Sequence, residues 1–158
     1  MTLVRHPNHQ SADIAAAVEA AAEALVIVWG RSSERLHPKV SPSQLRALLV
    51  VEHSGALTLG GLAEELGAIP SSASRLCDRL QAAGLLARTA GSTDRREVSL
   101  RLTKDGQRLL EELRLTRREE LASVLGAMNP QAREALLAGL DAFRVAAVRS
   151  GLRSGETG

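Results

Sequence analysis

Arg75 and Arg79, four residues apart and preceded by Ser71, Ser72 and Ser74, are the side chains of this sequence best suited to chemistry with a polyanion. Short hydroxyls near a helix start approach bases and phosphates, and a guanidinium binds a guanine edge or phosphate oxygens with two parallel hydrogen bonds. The positive charge continues beyond them. Between Ser71 and Lys104 lie Arg75, Arg79, Arg88, Arg95, Arg96, Arg101 and Lys104 against Asp78, Asp94 and Glu97, a local charge of +4 in a chain whose total is +2. Basic charge gathered on one helix and the stretch after it is the footprint expected of a protein that meets a phosphate backbone. A solvated face explains charge alone. It does not explain the order of elements described below.

Other chemistries find little support. The sequence holds no glycine-rich phosphate loop and no nucleophile-elbow pattern. The acid pairs Glu64-Glu65, Glu111-Glu112 and Glu119-Glu120 are sequence neighbours on helices. Adjacent helical residues point about 100° apart and do not share a substrate. The chain is therefore read as a non-enzyme without a cofactor. Its single cysteine, Cys77, excludes an internal disulfide, and its spacing with Ala73 and Leu80 makes it inner-face packing rather than a redox sensor. Four histidines, His6, His9, His37 and His53, invite a zinc reading in which only His37 and His53, beside Glu52, are plausible ligands; the expectation is no metal.

The elements that must position the basic residues follow from periodicity. The chain has 158 residues, 44% hydrophobic and 24% charged, which suits one globular domain whose core is aliphatic, since Trp29 and Phe143 are the only aromatic residues. Residues 1–10 look like a loose polar arm. Ile14, Val18, Ala21, Ala22, Leu25, Val28 and Trp29 mark a long amphipathic helix over about 11–36. Ser41, Pro42 and Gln44 supply a hydroxyl cap, a first-turn proline and a capping-box glutamine for a second helix that runs to about His53. Thr58 caps a short helix stopping at Gly67, and another starts near Pro70 and ends at Gly84.

The period then changes from helical to alternating. Val98, Leu100 and Leu102 alternate with polar residues as a half-buried strand, 85–89 can pair with it, and 90–96 form a turn-rich tip. Thr103 caps a long helix carrying Leu109, Leu110, Leu113, Leu121, Val124 and Leu125. Asn129-Pro130 start a last one, expected to bury Leu136, Leu137, Leu140 and Phe143. The tail from Arg149 is expected to fray. Two short helices joined by a three-residue turn containing glycine fit a helix-turn-helix, with small or apolar residues at Leu62, Ala63, Leu66, Ala73 and Leu76 where the pair must touch.

The run Asp94-Arg95-Arg96-Glu97-Val98-Ser99-Leu100-Arg101-Leu102-Thr103-Lys104-Asp105-Gly106 resembles the wing signature of the MarR family of bacterial transcription regulators. Ser74-Arg75-Leu76-Cys77-Asp78-Arg79-Leu80 followed by Gly84-Leu85-Leu86 is similar to that family's recognition helix and its exit. The resemblance covers about residues 11–148. It implies a mainly α (α+β) winged helix-turn-helix with a two-stranded wing hairpin and long N- and C-terminal dimerisation helices.

On this reading residues 1–40 hold the arm and first dimerisation helix, 41–106 the DNA-binding lobe, 107–150 the C-terminal dimerisation helices and 151–158 a disordered tail. The implied function is a cytoplasmic, nucleoid-associated homodimer, a repressor by family default, reading a pseudo-palindrome in double-stranded DNA. Ser71, Ser72, Ser74, Arg75 and Arg79 would act from the recognition helix and Arg88, Asp94, Arg95 and Arg96 from the wing. One wing arginine would enter the minor groove, with Asp94 holding the other, and Arg88 would contact phosphate. Many relatives bind phenolic or other lipophilic anions between the dimer helices and the DNA-binding lobe; Trp29, His37 and Arg46 are the candidates here. The competing reading is a winged helix that docks an acidic protein partner.

Two local features depart from ideal helix chemistry. Ile69 stands where a hydroxyl cap is favoured, at a cost of about 1 kcal/mol. Gly60 and Gly61 sit inside the helix before it, each roughly 1 kcal/mol worse than alanine. The 59–66 helix is expected to exchange its amide hydrogens faster than the recognition helix; equally slow exchange in native-state hydrogen exchange would contradict this.

Overall fold

The computed structural model describes residues 7–90 and 98–150. Among these residues the order is α1 (Pro7–Glu34), α2 (Pro42–Ser54), β1 (Leu57–Thr58), α3 (Leu59–Leu66), α4 (Pro70–Ala82), β2 (Leu86–Ala90), β3 (Val98–Leu102), α5 (Lys104–Gly126) and α6 (Pro130–Arg149). α1 starts inside the stretch expected to be a loose arm, because Pro7 is tolerated in a first helical turn. It ends before Leu36, which leaves the helix and is fully buried.

The caps form as their residue types dictate. Ser41 Oγ accepts from Gln44 N at 3.2 Å while Ser41 N donates to Gln44 Oε1 at 2.8 Å, a complete capping box. Thr58 Oγ1 accepts from Gly61 N at 3.1 Å, and Asn129 Oδ1 from Ala132 N at 2.8 Å. Gly67 ends α3 in the left-handed region at φ 61°, so α3 and α4 are separated by three residues. Gly61 has a packing reason that its helix propensity hides: a Cβ there would press on the Leu57 side chain.

The expected two-stranded hairpin is part of a three-stranded antiparallel sheet of order β1-β3-β2. β2 and β3 pair with Leu86 opposite Leu102 and Arg88 opposite Leu100, while β1 adds Leu57 opposite Leu100. A two-residue strand has no alternation to read. The sheet closes one side of an aliphatic core built from Leu45, Ala47, Leu48 and Val51 of α2, Leu62 of α3, Cys77 and Leu80 of α4, and Leu109, Leu110 and Leu113 of α5. Each fully buried leucine contributes roughly 1.5–3 kcal/mol of transfer free energy.

The apolar face of α6 is open in the single chain. α6 buries none of its residues, and Leu137 and Phe143 are 71% and 64% exposed. Ile14, Val18, Val26 and Ile27 of α1 and Leu136 and Leu140 of α6 are exposed as well. The apolar stripes are present as the sequence places them, and among the described residues no element covers these side chains.

Four segments meet at the base of the wing. Gly84 turns the chain at φ 72°, Leu85 O accepts from Thr103 N at 3.2 Å, and Thr103 Oγ1 donates to Gly84 O at 2.6 Å while accepting from Gly106 N at 3.0 Å. Gly106 is buried against this backbone, and a Cβ at that position would overlap the Leu85 carbonyl. Gly106→Ala is expected to lower stability by about 1–3 kcal/mol, the usual cost of overpacking a filled interior, while Gly126→Ala, with open space around it, is expected to leave stability unchanged or raised in urea unfolding.

Candidate nucleic-acid interface

The helix-turn-helix places the basic residues on an open face. α3 and α4 cross through the buried Leu62, Ala63 and Ala73, with Leu66 and Leu76 partly buried beside them. Ile69 occupies the N-cap of α4 with no side-chain cap hydrogen bond. Beyond this crossing the first turn of α2 and the outer face of α4 enclose a cleft of about 660 Å³. Its floor is Leu66, Ala73 and Leu76, and its rim carries Ser43, Arg46, Ser72, Arg75 and Arg79. Ser72, Arg75 and Arg79 sit at helical spacings of three and four, so they share one face.

Among the described residues neither Arg46, Arg75 nor Arg79 forms an ion pair. Three guanidinium groups therefore converge on one cleft with their hydrogen-bonding edges uncommitted. That arrangement holds anionic oxygens or guanine edges. Ser71 and Ser74 do not line the cleft; they lie with Asp78 on the adjacent face of α4.

Arg88 stands differently. It donates to Asp78 Oδ1 at 2.8 Å, tying β2 to α4, so it is not a free surface cation. Asp94, Arg95 and Arg96 lie outside the described residues, as does the 151–158 tail.

Trp29, His37 and Arg46 are not gathered into one cavity. Arg46 belongs to the cleft beside α4. His37 is exposed between α1 and α2, its Nδ1 3.0 Å from Arg35 O. Trp29 is 44% exposed on α1 and faces the Arg117 guanidinium of α5 at 5.1 Å from its ring centroid, within cation–π range. Burial, with Arg114 close by, pushes Arg117 below the ordinary guanidinium value, and its buried Nε has no hydrogen-bond partner among the described residues. Arg117 is a residue the sequence reading missed, since nothing in its neighbourhood on α5 distinguishes it from other surface arginines.

Two further ion pairs join the outer helices to one another and to the lobe: Arg114 of α5 with Glu52 of α2, and Arg35, just beyond α1, with Glu120 of α5 at 3.0 Å. Glu52 is thus engaged by arginine. Among the described residues no three His, Cys, Asp or Glu side chains cluster as metal ligands, and no helix is long and apolar enough to cross a membrane.

Comparison with known proteins finds chains of the same fold. The profile of the MarR family matches residues 39–97, which run from the turn before α2 to the end of the 91–97 segment. The fold is similar to the crystal structure of RV1404 from Mycobacterium tuberculosis, with a TM-score of 0.78 and 31% identity, over 92% of this chain and 97% of that one. In sequence it is 33% identical over 102 residues to the HTH-type transcriptional regulator Mb0904 of Mycobacterium bovis, covering 65% of this chain and 71% of the relative. It is also 33% identical over 92 residues to the HTH-type transcriptional repressor MdtR of Bacillus subtilis, covering 58% of this chain and 59% of that repressor.

Cys77 lies on the inner face of α4, fully buried, and burial pushes its thiol above the ordinary value, with Arg88 opposing and Asp78 reinforcing the shift. A protonated, shielded thiol is a poor nucleophile. In native buffer at neutral pH, Cys77 is expected to react with a thiol-specific disulfide reagent at least a hundredfold more slowly than in denaturant; comparable rates would show that the site opens readily.

Proposed function

The chain belongs to the MarR family of transcriptional regulators, and on that premise we propose that it works as a homodimeric repressor whose two recognition helices read a pseudo-palindromic operator. The observation that carries the reading is the cleft in which Arg46, Arg75 and Arg79 converge without a carboxylate partner among the described residues. Phosphate contacts supply affinity and register, and base-edge contacts supply sequence preference. In this division Arg75 reads a base edge and Arg46, at the first turn of α2, holds phosphate. Arg95 and Arg96 are assigned to the wing on the family resemblance, one of them to the minor groove.

The homodimer follows from uncovered apolar surface. Ile14, Val18, Leu136, Leu140 and Phe143 are exposed among the described residues, and exposed apolar faces of this extent are usually buried against a partner. A two-fold related copy repeats the recognition helix at about 34 Å, one turn of the double helix, so that both enter successive major grooves on one face of the duplex.

Release by a small lipophilic or phenolic anion fits the same architecture. α5 touches the lobe through Arg114–Glu52, and α1 touches α5 through Trp29 over Arg117. A ligand that shifts these contacts changes the separation of the two recognition helices, with a coupling of typically 1–3 kcal/mol. Whatever its effector, the DNA-bound state is the one the cleft is built for.

Fluorescence anisotropy of the protein titrated onto its own upstream DNA and onto a scrambled duplex of equal length, at two salt concentrations, tests the reading. Salt-steep binding that favours one duplex about a hundredfold is expected, well within the range by which specific binding exceeds non-specific binding. Arg75→Ala is expected to narrow that preference by roughly 1–3 kcal/mol, while Arg46→Ala weakens both duplexes alike. Salt-insensitive binding, or none at low salt, would instead point to an acidic protein partner.

A further inference from the structure

The Asp78–Arg88 pair joins the recognition helix to the first wing strand, and it gives Arg88 a part that its charge alone conceals. In the antiparallel register Arg88 stands directly opposite Leu100, which is fully buried. Residues directly opposite in such a ladder project from the same face of the sheet. Leu86, two residues earlier on β2, is on that face too and is also buried. Arg88 therefore belongs to the side of the sheet that packs on the helices, at the point where the aliphatic core ends and α4 begins. There its guanidinium meets Asp78 Oδ1 at 2.8 Å.

Asp78 is itself out of keeping with its surroundings. It is the one acidic residue of α4, flanked by Arg75 and Arg79, on a helix otherwise suited to a polyanion. An uncompensated carboxylate there would repel phosphate. The carboxylate has a use if it fixes the strand that leads to residues 91–97. Leu85 and Leu86 anchor the start of β2 in the core, and the ion pair adds a second point of attachment farther along the strand, so that β2 and α4 hold one relative orientation.

We propose, building on the operator-reading function above, that Arg88 is a positioning residue. It clamps the wing to the recognition helix through Asp78, cancels that carboxylate, and does not bind phosphate. The clamp presents helix and wing to the duplex as one rigid reader, and because the chain acts as a dimer it operates twice in each complex.

The test uses the full chain and a duplex recovered by the wild-type protein from a random pool, with Arg88→Met, Asp78→Asn, the double variant, and the exchanged pair Asp78→Arg/Arg88→Asp. Both single variants are expected to weaken binding three- to tenfold. The double variant is expected to bind no worse than the weaker single, and the exchanged pair to recover part of the loss. The dependence of affinity on salt should keep its slope in all of them, and thermal melting should stay close to wild type, as expected for a pair this exposed.

A phosphate-binding Arg88 gives the opposite pattern and would overturn the proposal. Arg88→Met would then flatten the salt slope by about 0.9 for each phosphate it leaves without a cation, Asp78→Asn would tighten binding by freeing the guanidinium, and the two effects would add. If wild-type protein recovers no preferred duplex from the pool, the operator-reading function itself fails, which is a different result from specific binding with an altered slope.

Discussion

The first turn of α5 lies directly on the backbone of Leu85, and position 106 admits only a residue with no side chain. This contact decides where everything else goes. Thr103, one turn earlier, accepts from Gly106 and donates to Gly84, while its own N–H is bonded to the Leu85 carbonyl. The end of the recognition helix, the start of β2, the end of β3 and the start of α5 are thereby held by three hydrogen bonds and one close approach. Net hydrogen-bond contributions of about 0.5–1.5 kcal/mol each do not stabilise a domain by themselves. Here they select one geometry among many that an aliphatic core tolerates. Leucines pack in several ways at similar cost, and backbone groups buried at a junction have far fewer ways to be satisfied.

From that junction the division of labour follows. The core beneath α4 is leucine-rich and neutral, so the outer face of α4 is free to carry charge. Coulombic attraction between single exposed charges is weak in water, and exposed ion pairs contribute about 0–1 kcal/mol. An arginine that is to bind a polyanion is therefore best left without a strong internal partner, which is the condition of Arg46, Arg75 and Arg79 among the described residues. Arg88, Arg35 and Arg114 have carboxylate partners and tie elements together instead. A net charge of +2 conceals this partition. The position of each arginine relative to Asp78, Glu52 and Glu120 determines which part it plays.

Much of the fold was legible because it rests on local chemistry. Ser41 with Gln44, Thr58, Thr103, Asn129 and Gly67 act as caps over distances of three or four residues, which a linear reading captures. The alternation of Val98, Leu100 and Leu102 gave β3 in the same way. What was not legible depends on contacts across the fold. β1 exists only because Leu57 and Thr58 find β3 some forty residues later. The Arg88–Asp78 pair needs the register of β2, and a free and a clamped arginine look alike in sequence. Trp29, His37 and Arg46 were grouped by position, but α1 carries Trp29 toward Arg117 while Arg46 turns toward α4. Periodicity shows the apolar stripes of α1 and α6 without showing what covers them, and among the described residues both stay exposed.

The central claim is that two copies of the Arg46–Arg75–Arg79 cleft engage one duplex together. Hydroxyl-radical footprinting of the protein on a duplex selected by binding tests it most directly. Two protected patches on the same face of the DNA, centred about one helical turn or roughly 34 Å apart, are the expected result. A single protected patch, or uniform protection along the duplex, would contradict it.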